Sequence, residues 1–311
     1  MIITVISALL LTTGCDLFIK TNKGQVDQKW YMGLTYEDDN GNDTDYTIGT
    51  DGTIAAVALE DGYGDEFGII KGEEAYLNIN TIIKNIDKRF YVDATNNLVM
   101  FTDATKTYKT KIGGKTINET ENTDYVISFM DGKNCYVNVK FVKKYVDFDY
   151  KVVKAEGKSP ARIVLKYTSG EKNQMTVKSN IEMRTKADYQ NLIVTTLKKN
   201  TKVTVLEESG DWTKVGTDDG FMGYVPAKKL KDKETKKTEF KSDADTYTHV
   251  LMNKKISLGW NAITNLTANG NLETIIEHTK GLNVISPTWY SLSDNKGNLR
   301  SYACLLYTSD A

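Results

Sequence analysis

The sequence predicts a chain of several domains: an α+β unit built on an internal repeat, a small all-β barrel, and the opening strand–helix–strand of a parallel array. Three observations carry this. The stretch "YLNINTIIKNID" (76–87) returns as "YVNVKFVKKYVD" (136–147), with Tyr76, Asn78, Lys84 and Asp87 matched by Tyr136, Asn138, Lys144 and Asp147. Residues 175–231 hold five short alternating strands separated by turn residues. Beyond a Lys-rich stretch, two short apolar strands flank one helix, which is the pattern of a parallel sheet. The 311 residues suffice for two or three units, at ~100–200 residues each.

Charge and composition exclude some functions before any motif is read. Forty basic side chains face forty-one acidic ones, for a net charge of -1. No basic face is offered to a nucleic acid, so none is expected as a partner. Three Cys are too few for a disulfide scaffold, and two His make a His-based metal site or triad improbable. No metal and no cofactor is expected, and a Ser or Cys hydrolase is disfavoured because no His–nucleophile pairing is visible.

Residues 1–15 read as an export signal: an apolar run, too short for a membrane span, ends in small residues and Cys15. "LTTGC" (11–15) resembles a bacterial lipobox, although no Lys or Arg precedes the run. The resemblance implies an exported protein, lipid-anchored through the Cys15 thiol on the outer face of the cell membrane. The other reading is a buried segment with a chance Cys.

Residues 29–168 form the first folded unit. Each repeat copy reads as a strand followed by a helical turn, with Ile82, Ile83 and Ile86, or Val142 and Val146, facing inward. A strand pair follows each copy, and Asn96–Asn97 suits the tight turn of the first because Asn tolerates positive φ. "EDDNGNDTDY" (37–46) is an acidic turn; its Gly41 falls too early for a calcium loop. Cys135, on a strand of the second copy, reads as a buried structural thiol. The repeat resembles the copper-amine-oxidase N-terminal-like domain of exported Firmicutes proteins. That resemblance implies wall-associated spacing or binding and no copper.

Residues 175–231 alternate as half-buried strands do: Val203 and Val205, then Trp212 and Val215, then Gly223, Tyr224 and Val225. Asp219–Gly220 is a hairpin turn, and Pro226 ends its strand for want of an amide. The order of pieces resembles bacterial SH3 domains, with Met183–Arg184 in the family's apolar-x-Arg and Asn200 where Gly is usual. In many exported hydrolases such domains bind cell-wall peptide or act as spacers. Tyr189, Trp212 and Tyr224 either line a groove or, for Trp212 and Tyr224, fill the core.

Residues 232–247 have few apolar side chains and mixed charge, and read as a linker. In 248–303, a strand at Ile256–Gly259, a helix with Leu272, Ile275 and Ile276 on one face and Gly281 at its close, and a second strand "NVISPTWYSL" give a βα pattern. "ISLGWNAITN" and "LNVISPTWYSLSD" resemble the first two strands of glycoside hydrolase family 18 barrels of exported Firmicutes proteins. The resemblance implies a TIM (β/α)8 barrel truncated early, since such a barrel needs roughly 250 residues. It also implies a D-x-x-D-x-D-x-E motif whose Glu protonates the glycosidic oxygen while the substrate acetamide attacks. No residue of this chain takes that catalytic role. Trp260, Trp289 and Tyr290 lie at the carboxyl ends of the two strands, where an aromatic face can stack on a sugar; they fit a core equally well.

Under one choice of codons, Cys304–Ala311 resemble a transposon-derived sequencing adapter, so 304–311 is expected to be non-biological. The resulting expectation is a monomeric surface lipoprotein whose full-length form hydrolyses peptidoglycan or chitin-like N-acetylated glycans, the fragment lacking the acid. The alternative is a non-enzymatic wall-binding lipoprotein that uses the SH3 and repeat domains.

Overall fold

The computed structural model describes residues 21–104, 106–242 and 255–303. The signal and lipobox with Cys15, and the 304–311 tail, lie outside the described residues. Contacts divide the chain into two units, Met1–Asp245 and Thr246–Ala311. The architecture is mostly β.

The first unit opens with α1 (Gln28–Tyr31) and a ladder of β1 (Thr35–Glu37) with β2 (Asp43–Asp45). Then come β3 (Thr53–Ala58), β4 (Gly68–Lys71), β5 (Glu74–Asn78) and α2 (Ile79–Asn85). The strands β6 (Phe90–Asp93), β7 (Leu98–Thr102) and β8 (Thr107–Lys111) form a separate sheet, followed by the ladder β9 (Thr116–Ile117) with β10 (Glu121–Asn122). The second repeat copy supplies β11 (Ser128–Asp131), β12 (Asn134–Asn138) and α3 (Val139–Tyr145), and β13 (Asp149–Val153) and β14 (Ala161–Lys166) complete the region. The main sheet runs β11-β12-β5-β4-β3-β14-β13, antiparallel except where β14 lies parallel to β3.

The repeat is a structural dyad. β12 pairs with β5 so that Tyr136 opposes Asn78, Val137 opposes Leu77 and Asn138 opposes Tyr76. Each copy therefore meets the other across Leu77 and Val137. The matched Asn residues are both fully buried and play the same part in each copy. Asn78 accepts from the Asn80 amide and Asn138 from the Lys140 amide, each at 2.9 Å. These are helix N-caps that satisfy an otherwise orphaned donor. Their amide groups donate in turn to Glu66 and Glu74. Ile82 and Val142 face inward as expected, but Ile83 is exposed. The 100° step of a helix turns Ile83 away once Ile79 and Ile82 face the sheet. Asn97 has φ +57° in the β6–β7 turn, as its residue type predicts.

The main sheet is buried on both faces, which explains its unbroken apolar strands. Ala55, Val57, Leu77, Val137, Ile163 and Leu165 pack against α2, α3 and the small sheet around Phe90, Phe101 and Phe141. On the other face Ala56, Ile69, Tyr76 and Tyr136 join a second core with Val26, Met32 and the residues of the following domain.

That domain comprises β15 (Gly170–Val177), β16 (Ile181–Arg184), β17 (Ile193–Leu197), β18 (Lys202–Ser209), β19 (Trp212–Gly216), β20 (Met222–Pro226) and β21 (Leu230–Thr238), in the order β17-β16-β20-β19-β18-β15-β21. Asn200 holds φ +68°, as the resemblance required. The expectation of a linker from 232 is corrected: 230–238 is an edge strand antiparallel to β15. Ladder hydrogen bonds do not require apolar side chains, and a charged edge strand resists further pairing. Its charges find partners across the sheet, Lys233 with Glu208 at 2.6 Å and Lys202 with Glu234 at 3.3 Å.

The second unit has β22 (Leu258–Asn261), α4 (Leu266–Gly270), α5 (Leu272–Glu277), β23 (Val284–Pro287), β24 (Tyr290–Leu292) and β25 (Leu299–Ser301). β22 and β23 pair in parallel across the helical crossover, the expected βα pattern, and β24 with β25 is a hairpin. The helical segment begins earlier than expected, capped by the Asn265 side chain on the Ala268 amide, and breaks at Asn271. Leu272 is buried, whereas Ile275 and Ile276 are exposed.

Candidate functional site

Register between β16, β20 and β19 sets the face that carries the aromatic residues of the small barrel. Thr213, Val215, Gly223 and Val225 are buried on one side, and Val215 and Val225 enter the core. Trp212, Lys214 and Tyr224 consequently point to the other side. Trp212 and Tyr224 are thus half-buried on that side, outside the core that Val215 and Val225 enter. Tyr224 opposes Lys214 on one flank and Arg184 on the other.

Tyr189 reaches this face from the loop after β16. Its ring meets Trp212 edge-on, with centroids 4.8 Å apart and planes at 63°. The Arg184 guanidinium lies 5.8 Å from the Tyr189 ring centroid. Arg184 is only 2 % exposed, yet it is well partnered: it bonds the carbonyls of Asn22 at 2.9 Å and Asn191 at 2.6 Å, and pairs with Glu182. A buried charge needs such partners. Arg184 therefore fixes the loop that presents Tyr189 rather than meeting a ligand itself.

Segments remote in sequence frame the same face. Gln25 bridges Ile193 in parallel, with Val26 donating to Ile193 and Ile193 to Gly24, both at 2.9 Å. The chain before α1 thereby extends the β17 edge. Tyr31 of α1 donates its hydroxyl to the Met222 carbonyl at 3.0 Å and packs edge-on against Tyr63 at 5.8 Å. The Tyr63 hydroxyl donates to the Gly220 carbonyl at 3.0 Å and accepts from the Met222 amide at 3.2 Å. Burial pushes the Tyr31 hydroxyl up to about 12, with the neighbouring Tyr224 adding to the rise. These phenols are neutral donors and acceptors at any physiological pH. Nothing in the sequence marks Tyr31 and Tyr63 as members of this site, because both arrive by long-range packing.

Residues 179–231 match the family model described as a bacterial SH3 domain. This part of the chain is a bacterial SH3 domain. No curated protein and no solved structure matches the chain.

In the second unit, Trp260 and Tyr290 are 80 % and 58 % exposed, so neither is a core residue. Trp289 is half-buried, its indole donating to Asn269 at 2.8 Å. The sequence places all three together at strand ends; the structure leaves two of them open to solvent and ties the third to α4. Cys135 lies buried on β12 with its thiol pushed up to about 11 by burial, which keeps it protonated and a poor nucleophile. A cleft of about 670 Å³ beside β8 and β9 is lined by Lys109, Lys111, Thr116 and Glu119. It contains none of the residues singled out from the sequence.

Proposed function

We propose that this protein acts by binding, and that the Tyr189–Trp212–Tyr224 face of its SH3 domain takes a peptide of the bacterial cell wall. The supporting observation is the Tyr189–Trp212 pair: two large rings, turned out from the core and held in place by a buried Arg184. Rings at a surface offer contact area at little conformational cost. The test is retention of the full chain on purified peptidoglycan. Trp212→Ala is expected to weaken retention at least tenfold, the loss of roughly 1.4 kcal/mol. Equal retention of the variant removes the reading.

A second reading assigns the unit from Thr246 to a family 18-like glycoside hydrolase acting on N-acetylated wall or chitin-like glycans. Parallel β22 and β23, with the exposed Trp260 on the first, favour it. On this reading the proton donor is not among these residues. Chitooligosaccharide should bind at Trp260 without being cleaved, and cleavage by this chain ends the proposal. The lipid anchor at Cys15 is part of both readings; Cys15→Ala is expected to shift the exported protein from the membrane fraction to the medium.

A further inference from the structure

The SH3 face has an open side and a covered side. At the Met222 end, Tyr63 and Tyr31 sit over the strand, while at the Trp212 end the ring neighbour is Tyr189. Tyr63 has its hydroxyl occupied twice, donating to Gly220 and accepting from Met222. Tyr31 differs: its hydroxyl donates to the Met222 carbonyl, leaving the oxygen able to accept. Met222 stands two residues before Tyr224 on the same face of β20. The pairing of 24–26 with Ile193 holds α1 in this place. Exposed Asp188 and Asp211 immediately precede Tyr189 and Trp212 in the chain, and exposed Lys186 lies in the same loop as Asp188.

We infer that Tyr31, from outside the SH3 domain, completes this groove, and that its occupant is an extended peptide bearing a free ammonium group, such as an uncapped diamino acid of the wall stem. The inference rests on the wall-peptide reading above and deepens it. Aromatic faces attract a cation, the carboxylates of Asp188 and Asp211, each one residue from a ring, are the groups to complement it, and the Tyr31 oxygen accepts an N–H further along the chain. Lys214 does not oppose the charge from within the groove, because its ammonium is drawn aside to the Asp61 carbonyl at 2.8 Å.

The test uses the full chain on purified peptidoglycan, native and with its free amines acetylated. The wild type should bind the acetylated wall about tenfold more weakly. Tyr31→Phe, which keeps the ring, should bind the native wall about fivefold more weakly, measured well below its thermal midpoint so that folding does not enter. Indifference to acetylation, or wild-type retention by Tyr31→Phe, overturns the inference while leaving wall binding intact. No retention of the wild type, or full retention by Trp212→Ala, removes the wall-peptide reading and this inference with it.

Discussion

Gly220 is where the SH3 domain rests on the repeat sheet, and replacing it with Ala measures that junction. Its φ is +84°, a conformation that disfavours any side chain, by roughly 1–2 kcal/mol. A Cβ there would stand 2.8 Å from Val164 Cγ2, 3.0 Å from the Ala58 Cβ and 3.5 Å from Arg162. The Ala58 Cβ is fixed to the backbone of a central strand and has no rotamer to yield with. Overpacking of this kind costs about 1–3 kcal/mol. The expected loss for Gly220→Ala is therefore about 2–5 kcal/mol. Gly210 supplies the control: φ is +58° but nothing lies within 4 Å of an added Cβ. Gly210→Ala should lose only the conformational part, about 1 kcal/mol. In urea unfolding followed by circular dichroism, Gly220→Ala should shift the midpoint down by about 1 M, for a slope of roughly 2–3 kcal/mol per M. Gly210→Ala should shift it by less than half as much. Equal midpoints for the two variants would refute the tight seating of the 217–221 loop on the sheet.

Asn138→Ala removes a buried cap and its bond to Glu74, and should cost about 2 kcal/mol in the same urea assay. Cys135 makes stability alkaline-sensitive: its pKa is raised from 9.0 to about 11 by burial. The folded state holds that proton more tightly, so the contribution is complete below pH 9 and is lost as pH rises toward 11, by about 2 kcal/mol. Cys135→Ala should show a flatter fall over that window, and parallel curves would contradict the assignment. Amides of β22 and β23 should exchange faster than those of β19 and β20, because Leu258, Trp260 and Leu292 leave the second unit with little buried contact. Equal protection, read by mass spectrometry, would count against this.

The dyad is legible in the sequence because both of its determinants are local. Asn before an apolar helical run signals an N-cap, and matched strands with matched caps imply matched hairpin–helix units. The SH3 domain is legible for a similar reason: its turn residues Asn200, Gly210 and Gly220 all hold positive φ. What escapes is non-local. The Lys-rich 231–238 reads as a tether until β15 provides a ladder partner, since backbone pairing leaves no trace in hydropathy. Ile83 departs from expectation for a smaller reason: two adjacent Ile compete for one helical face, and only Ile82 shares that face with Ile79.

The same distinction decides how the aromatic face should be regarded. Trp212 and Tyr224 can be named from sequence, but whether they face the core depends on which residues pair across β19 and β20. Once Val215 and Val225 occupy the inside, the period of two leaves Trp212 and Tyr224 no choice. Orientation then comes from outside the domain. Arg162, buried on β14, donates to the Asp219 carbonyl at 2.6 Å and lies 4.3 Å from the Phe221 ring centroid, while Lys166 pairs with Asp218 at 2.8 Å. The loop that closes the β19–β20 hairpin is thus gripped by the repeat sheet, and the opposite edge is gripped by residues 22–28. An SH3 domain held at both ends cannot reorient toward a ligand on its own. On the wall-peptide proposal, the repeat unit would aim that face and so take part in recognition without touching the ligand.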